Sequence, residues 1–370
     1  MMRRVGLLMD TTLGYGRRVF TGIRQSLLPD LDIEFCMAPP SGDGIHRWIE
    51  QGIDGIIAMV HDPAVGRLLS EWGGPAVNVS SRLETPLPRV ILDDVAVGAL
   101  AGAYFLDRHF SHFAFVGRTG MRYSLNRQKG FARRVTEHGF RVRELAIDPG
   151  QPVSHLARLF ADLPLPLAMF VLGEDVARDA LAACRACELR VPDTVAILSG
   201  SDSDDLCACL APPVSMIDLP LERVGVEAGE MLLCQMRGEP LEQPDRTLPP
   251  NGIVERLSTA FEAIDDPEII VALAYIRRRF AEDIGVDDVA EAVGTGRRHL
   301  ERRFQSEIGT GIYQHILRTR IDHVKALLRR TDLSLAEIAA QTGFASSRHL
   351  CATFKRVIGV TPTSFRTGTA

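Results

Sequence analysis

Short runs that are apolar at nearly every position recur along the first two-thirds of the chain. They are VGLLM (5–9), IEFCM (33–37), GIIAMV (55–60), AVNVS (76–80), FAFVG (113–117), AMFVLG (168–173), VAILSG (195–200) and VSMIDL (214–219). Runs of this length without polar alternation predict strands covered on both faces. Between most of them lie helical stretches, among them YGRRVFTGIRQSLL (15–28), DVAVGALAGAYFLDRH (94–109), LNRQKGFARRVTEHG (125–139) and LERVGVEAGEMLLCQMRG (221–238). Strand–helix alternation builds parallel sheets with helices on both faces. The stretch is long for one such sheet and comfortable for two lobes.

The pattern then changes. Residues 286–304 read VDDVAEAVGTGRRHLERRF, and residues 333–355 read LSLAEIAAQTGFASSRHLCATFK. Each copy is an amphipathic stretch, a glycine (Gly294, Gly343), and a second helix carrying Arg-His-Leu with a Phe four residues after the Leu. Helix, glycine-containing turn and helix make a helix-turn-helix unit, whose second helix can enter the DNA major groove. One copy is a weak signal; two, joined by a further amphipathic helix, predict an all-α DNA-binding tail. Ser334-x-x-Glu337 is a capping box, and Thr361-Pro362 places a cap before a proline suited to the first helical turn. Between the last strand of the body (252–256) and a helix opening at Pro267, LSTAFEAIDD has no strong hydrophobic period. The expected organisation is therefore a body over 1–258, a linker over 259–266 centred near residue 262, and a tail over 267–370.

Charge sharpens this division. The whole chain carries a net −5, which by itself argues against nucleic acid. Residues 271–370, however, hold 16 basic and 10 acidic residues, a net +6 that leaves −11 on the rest. Only a basic tail is expected to meet phosphate, with the acidic body held off it. The N-terminus MMRRVGLLMD reaches an aspartate at position 10. A signal peptide needs an apolar core of about 7–15 residues and a spanning helix about 20. Neither occurs, so a cytoplasmic protein without membrane attachment is expected. Seven cysteines suit reduced thiols. Cys184-x-x-Cys187 and Cys207-x-Cys209 have metal-like spacing but no His-rich partner segment, so neither a metal nor a cofactor is expected.

Ligands of open α/β folds sit at the carboxyl ends of the strands. The residues there are Asp10 with Thr11 and Thr12, Asp93 with Asp94, Glu174 with Asp175, and Asp202 with Asp204. Carboxylates so placed suit a polyhydroxylated ligand whose hydroxyls donate to them. Asp in that position also caps helices routinely, so capping alone accounts for any one of these sites about as well, though less adequately for all four together.

At this point the chain resembles known families. GLLMDTTLGYGRRVFTGI, VILDDVAVGALAGAYFLDRHFSHFAFVG, RYSLNRQKGF and VAILSGSDSDDL are similar to the sugar-sensing domains of LacI/GalR regulators and periplasmic sugar-binding proteins. The tail, with IAAQTGF and FKRVIGVTPTSFR, resembles the AraC/XylS DNA-binding domain over its whole length. The resemblance implies a two-lobed periplasmic-binding-protein-like sensor followed by an all-α domain with two helix-turn-helix units. It implies that Arg127, within NRQKGF, and Asp202, within SGSD, grip a sugar, supported by Asp10 and by Glu174 or Asp175. An aldopentose effector, an activating role and a homodimer are implied in the same way.

On the tail, Leu300 and Phe304 share one helix face, as do Leu350 and Phe354, and these faces should be buried. Arg298 and Arg302 share another face. The family pattern puts base reading on Arg298, Glu301 and Arg302 of the first recognition helix, and on Ser347 and Arg348 of the second, with Lys355 beyond. Ala352 stands where a longer polar residue is common, so the second helix reads sequence more weakly. Arg297 and Arg303 flank the first set and are expected on phosphate. Gly296 replaces the usual Ser at the helix start, at a cost of only a few tenths of a kcal/mol. The reading is a sugar-responsive DNA-binding regulator and not an enzyme. A regulator of another sugar or sugar acid is the alternative; a carbohydrate-modifying α/β enzyme is opposed by the lack of a G-x-S-x-G elbow, a P-loop or a G-x-G-x-x-G turn. An uptake protein is opposed by the tail.

Overall fold

A computed structural model describes residues 3–26, 31–36, 42–148, 150–200, 202–260, 266–331 and 333–367. The chain divides into two compact units, Met1–Phe261 and Glu262–Ala370.

In the first unit the strands are β1 (Arg3–Leu8), β2 (Leu31–Cys36), β3 (Gly55–Ala58), β4 (Ala76–Asn78), β5 (Arg89–Leu92), β6 (His112–Arg118), β7 (Val142–Ile147), β8 (Leu167–Val171), β9 (Val195–Ser199), β10 (Ser215–Asp218), β11 (Asp245–Leu248) and β12 (Gly252–Val254). They form two six-stranded sheets, ordered β11-β5-β4-β3-β1-β2 and β12-β10-β9-β8-β6-β7, one per lobe. Pairing is parallel, with Val5 opposite Gly55 and Phe115 opposite Phe170, except that β12 runs antiparallel to β10. Central strands β3, β8 and β9 are buried at every residue, which is why their sequences run apolar without alternation.

Each expected run overlaps a strand. Residue 37 of the IEFCM run and residues 27–28 of the first expected helix lie outside the described residues. β5 lies outside the quoted runs, implied only by Asp93 at its end; the unexpected strands are β7 and β11, edge strands that are largely exposed and read VRELAI and DRTL. A strand wetted on one side has no reason to be apolar throughout.

The chain passes between lobes after β5, after β10 and between β11 and β12. These passages are tied together: Asp93 N donates to Leu248 O at 2.8 Å, and Asn251 N to Asp218 O at 2.8 Å. In the second lobe, helix Asp94–Leu106 lies against helix Arg122–Thr136 so closely that a Cβ on Gly98 would overlap the carbonyl oxygen of Arg127, and one on Gly130 that of Val95. Gly22 and Gly225 make the equivalent approach between helices Gly14–Ser26 and Leu221–Met236 of the first lobe. Only glycine allows backbones this near. An aromatic cluster, including Phe131–Phe170 and Phe115–Phe170 at 5.4 Å between centroids, packs beside the helix pair of the second lobe.

The unit ends inside the second lobe. Ser258 and Thr259 are buried, with Ser258 Oγ donating to Ile197 O at 2.6 Å and Thr259 Oγ1 2.7 Å from both Tyr104 and Ser215 hydroxyls. Thr259, expected to open the linker, is thus anchored in the sensor body, because its hydroxyl completes a buried hydrogen-bond set. The expected linker centre near 262 lies outside the described residues.

The second unit consists of helices Pro267–Arg279, Val286–Val293, Arg297–Ile308, Ile312–Arg330, Leu335–Gln341, Ser347–Ile358 and Pro362–Thr367. Two small cores form, one around Leu300 and Phe304 and one around Leu350 and Phe354, all fully buried as their spacing predicts. The long helix Ile312–Arg330 feeds both: Ile312 and Ile316 enter the first core, Leu317, Ile321 and Val324 the second. From its middle, buried Arg320 donates to Phe280 O at 2.8 Å and Glu282 O at 2.7 Å, closing the end of the first helix. The capping box holds: Ser334 N donates to Glu337 Oε2 at 2.8 Å and Glu337 N to Ser334 Oγ at 3.3 Å. Ser364 N likewise donates to Thr361 Oγ1.

Candidate functional site

The close helix pair of the second lobe brings Arg127 against Asp94. Arg127 is 5% and Asp94 3% exposed, and Arg127 Nε donates to Asp94 Oδ1 at 2.8 Å. Arg127 Nη1 donates to Leu172 O at 3.1 Å and Gly200 O at 2.6 Å, the carbonyls just past β8 and β9. The guanidinium therefore closes two strand ends. Its Nη2 has no hydrogen-bond partner among the described residues. The second oxygen of Asp94 accepts from Ser81 Oγ at 2.7 Å, a residue that follows β4 of the first lobe. Asp94 thus receives a donor from each lobe.

Asp202 follows β9 and reaches the other way. Its Oδ2 accepts from the backbone N–H of Tyr15 at 2.7 Å, at the start of helix Gly14–Ser26. A carboxylate at a helix N-terminus meets unsatisfied N–H groups and the positive end of the helix dipole. Tyr15 in turn donates its hydroxyl to Val79 O at 2.6 Å. Burial raises the Tyr15 phenol above its ordinary pKa; the Asp94 and Asp202 carboxylates add to this and Arg127 opposes it. Arg122 of the second lobe forms an ion pair with Glu84 of the first. His61 and Arg82 complete the surroundings: burial, and then the Arg82 charge, lower the His61 pKa, while Asp10 raises it. The Arg82 and Arg127 charges also act on the Tyr123 phenol, which burial raises.

The other sequence-predicted residues divide. Asp10 Oδ1 accepts from Thr12 N at 3.0 Å and Thr12 Oγ1 at 2.5 Å, which holds the turn after β1. Glu174 and Asp175 open helix Glu174–Ala186. Asp175 is tied by an ion pair to Arg118 at the end of β6 and accepts from Val176 N at 2.8 Å. Asp93 caps helix Asp94–Leu106 through Ala96 N at 2.9 Å, and Asp204 pairs with Arg256 at 2.7 Å. The capping explanation thus suffices for Asp93, and an ion pair accounts for Asp204. Asp94, Ser81, Tyr15, Tyr123, Arg82 and His61 were not among the selected site residues. Asp94 and Tyr15 stood in the quoted strand-end segments; no signal in the sequence singled out Arg82 or His61. An arginine fork, carboxylate lone pairs and hydroxyls converging from two lobes can bind a small polyhydroxylated molecule by charge-assisted hydrogen bonds.

On the tail, helix Arg297–Ile308 presents Arg298 and Arg302 to solvent, and helix Ser347–Ile358 presents Arg348 and Lys355. Arg298, Arg302 and Arg348 make no side-chain hydrogen bond or ion pair with a described residue. Ser346 Oγ caps the second recognition helix through His349 N at 3.2 Å, whereas Gly296 offers the first none. Ser347 is half-buried beside that cap and Glu301 is half-buried beside Arg297. Two arginines expected on phosphate are engaged. Arg297 pairs with Asp287 at 2.9 Å and Glu301 at 3.5 Å. Arg303 gives Nε to Asp266 at 2.8 Å, Nη2 to Asp266 at 2.5 Å and Nη1 to Glu268 at 2.8 Å. Every nitrogen of Arg303 thus faces a carboxylate of its own unit. No described helix is long and apolar enough to cross a membrane.

The periplasmic binding protein-like domain family matches residues 103–259, and the helix-turn-helix domain family matches residues 289–368. The chain thus carries the domain pair of a helix-turn-helix DNA-binding transcription regulator with a periplasmic-binding-protein-like sensing domain. It is 27% identical to the xylose operon regulatory protein of Escherichia coli K12, over 98% of this chain and 96% of that protein, and 26% identical to its namesake from Haemophilus influenzae, over 98% of each. Among solved structures, that of the xylose-binding transcription activator xylR matches with a TM-score of 0.61 at 24% identity, covering 99% of both chains. A LacI family regulator from Enterococcus faecium with bound ribose matches at 0.60 and 20% identity, over 70% of this chain and 98% of that one. The relatives that span the whole chain are regulators rather than enzymes.

Proposed function

We propose that the cleft of the first unit binds a monosaccharide-sized sugar, an aldopentose first among candidates, and that this binding controls DNA recognition by the tail. The observation that carries the reading is the convergence of Arg127, Asp94 and Asp202 with Ser81 and Tyr15 of the opposite lobe. Every partner there is a hydrogen-bonding group, and Arg127 Nη2 retains its donors. Asp10, Glu174 and Asp175, at neighbouring strand ends, are the outer contacts of the proposed site. The names of the relatives favour a five-carbon sugar and an activating role. The acting form is proposed to be a cytoplasmic homodimer, and the net-basic tail on an acidic body supports its contact with operator DNA. Arg298, Arg302 and Arg348 are the proposed base-reading cations, with Lys355 on the backbone.

Thermal-shift measurements on the full chain against pentoses, hexoses and their sugar acids test this. A pentose that raises the melting temperature and is recovered unchanged supports a sensor; a stabiliser that is consumed identifies an enzyme. Each lost hydrogen bond to a charged group is worth roughly 1.5–3 kcal/mol. Arg127→Ala and Asp202→Ala should each weaken that sugar at least tenfold, and unchanged affinity in both overturns the site.

A further inference from the structure

The point at which the chain enters the second unit is bound directly to the first recognition helix. Asp266 caps helix Pro267–Arg279, accepting from Glu268 N at 3.0 Å and Ile269 N at 3.5 Å through one oxygen. Its other oxygen takes both Nε and Nη2 of Arg303, in the middle of helix Arg297–Ile308. The Asp266 side chain is only 8% exposed. Glu268, two residues on, takes Arg303 Nη1 and stands 3.5 Å from His299 Nε2 on the same recognition helix.

We propose that Asp266 and Arg303 form a positioning joint, through which the start of the first tail helix sets the orientation of the first DNA-reading helix. The proposal rests on the regulator reading above. It predicts that Arg303 governs sequence selection without touching phosphate. A carboxylate that both caps a helix and holds an arginine by two nitrogens fixes direction as well as distance. Arg298 and Arg302, on the same helix, would take their bearing on the groove from this fixed point.

The test uses the full chain and two duplexes: one selected by that chain from a random-sequence pool, and a shuffled duplex of the same composition. Affinity for each is measured across a salt series for the wild type, Arg303→Met, Arg303→Lys and Asp266→Asn. Asn is itself a good N-cap, so Asp266→Asn removes the charge while keeping the helix start. The joint predicts that Arg303→Met and Asp266→Asn each lose about tenfold of the preference for the selected duplex, with salt slopes unchanged. It also predicts that the double variant is no worse than either single change, and that Arg303→Lys recovers only part of the loss. A salt slope that falls by about one unit in Arg303→Met, with Asp266→Asn behaving as wild type, makes Arg303 a phosphate contact and overturns the joint. Full preference retained in both variants overturns it as well. Failure to select any duplex from the pool speaks against the regulator reading, a different outcome from either.

Discussion

Replacing Arg127 with Met removes the guanidinium and keeps a stem of similar reach. What remains is the Asp94 carboxylate, its side chain 1% exposed, with Ser81 Oγ as its hydrogen-bond donor. Two carbonyls, Leu172 O and Gly200 O, also lose a donor. Breaking a buried ion pair by removing one partner costs about 3–5 kcal/mol, because the other charge stays desolvated. At about 2–4 °C per kcal/mol for a unit of this size, the sensor transition should fall by roughly 6–20 °C. Asp94→Asn leaves Arg127 its two carbonyls and keeps an acceptor, so about 1–3 kcal/mol is expected. The double variant Arg127→Met/Asp94→Leu removes both charges and should regain a good part of the loss, short of full recovery because the carbonyls stay unmet. Differential scanning calorimetry of the full chain, which resolves sensor and tail transitions, supplies the measurement. Arg127→Met within about 1 kcal/mol of wild type, or a double variant less stable than Arg127→Met alone, would refute the claim that this pair is desolvated and coupled.

Further outcomes are specific. Arg298→Ala should cost about 1–3 kcal/mol on a selected duplex and little on a shuffled one, as a bidentate contact to guanine requires; equal losses on both, measured by fluorescence anisotropy, would show that it does not read sequence. Limited proteolysis should cut between Thr259 and Asp266 and yield two folded fragments, whereas a sensor that unfolds once the tail is removed would contradict independent units. His61 is held below its ordinary pKa of 6.5, first by burial and then by the Arg82 charge. The unfolded chain takes that proton first, so its contribution to stability is whole above pH 6.5 and declines as pH falls below it. His61→Gln should flatten the fall in sensor melting temperature on the acid side of that value, and an identical pH profile in wild type and variant would contradict this.

The chain's architecture was legible wherever burial alone decides a residue's type. β3, β8 and β9 are enclosed on both faces, so their sequences declare them, and Leu300, Phe304, Leu350 and Phe354 show their buried face by spacing. β7 and β11 were hidden because an edge strand need not be apolar. In the cleft, Arg127 and Asp202 could be picked out by motif, but the partnership of Arg127 with Asp94 could not. It depends on two helices brought together by Gly98 and Gly130, and a close approach between distant segments leaves no periodic trace. Asp94 itself was visible only as one of several strand-end carboxylates, and helix capping explained those equally well. The carboxylate partners of Arg303 were hidden for a related reason. Its position on the recognition helix suggested phosphate, while the two carboxylates that occupy it come from 35 and 37 residues upstream.

The central claim is that occupancy of the sensor cleft changes how the tail holds DNA. Coupling between two sites typically amounts to 1–3 kcal/mol, or about 5–150-fold in affinity. The direct measurement is the affinity of the full chain for its selected duplex, with and without a saturating concentration of the pentose that most raises its melting temperature. The account predicts at least a fivefold shift, abolished in Arg127→Ala at the same sugar concentration. Identical affinities with the sugar demonstrably bound would contradict it.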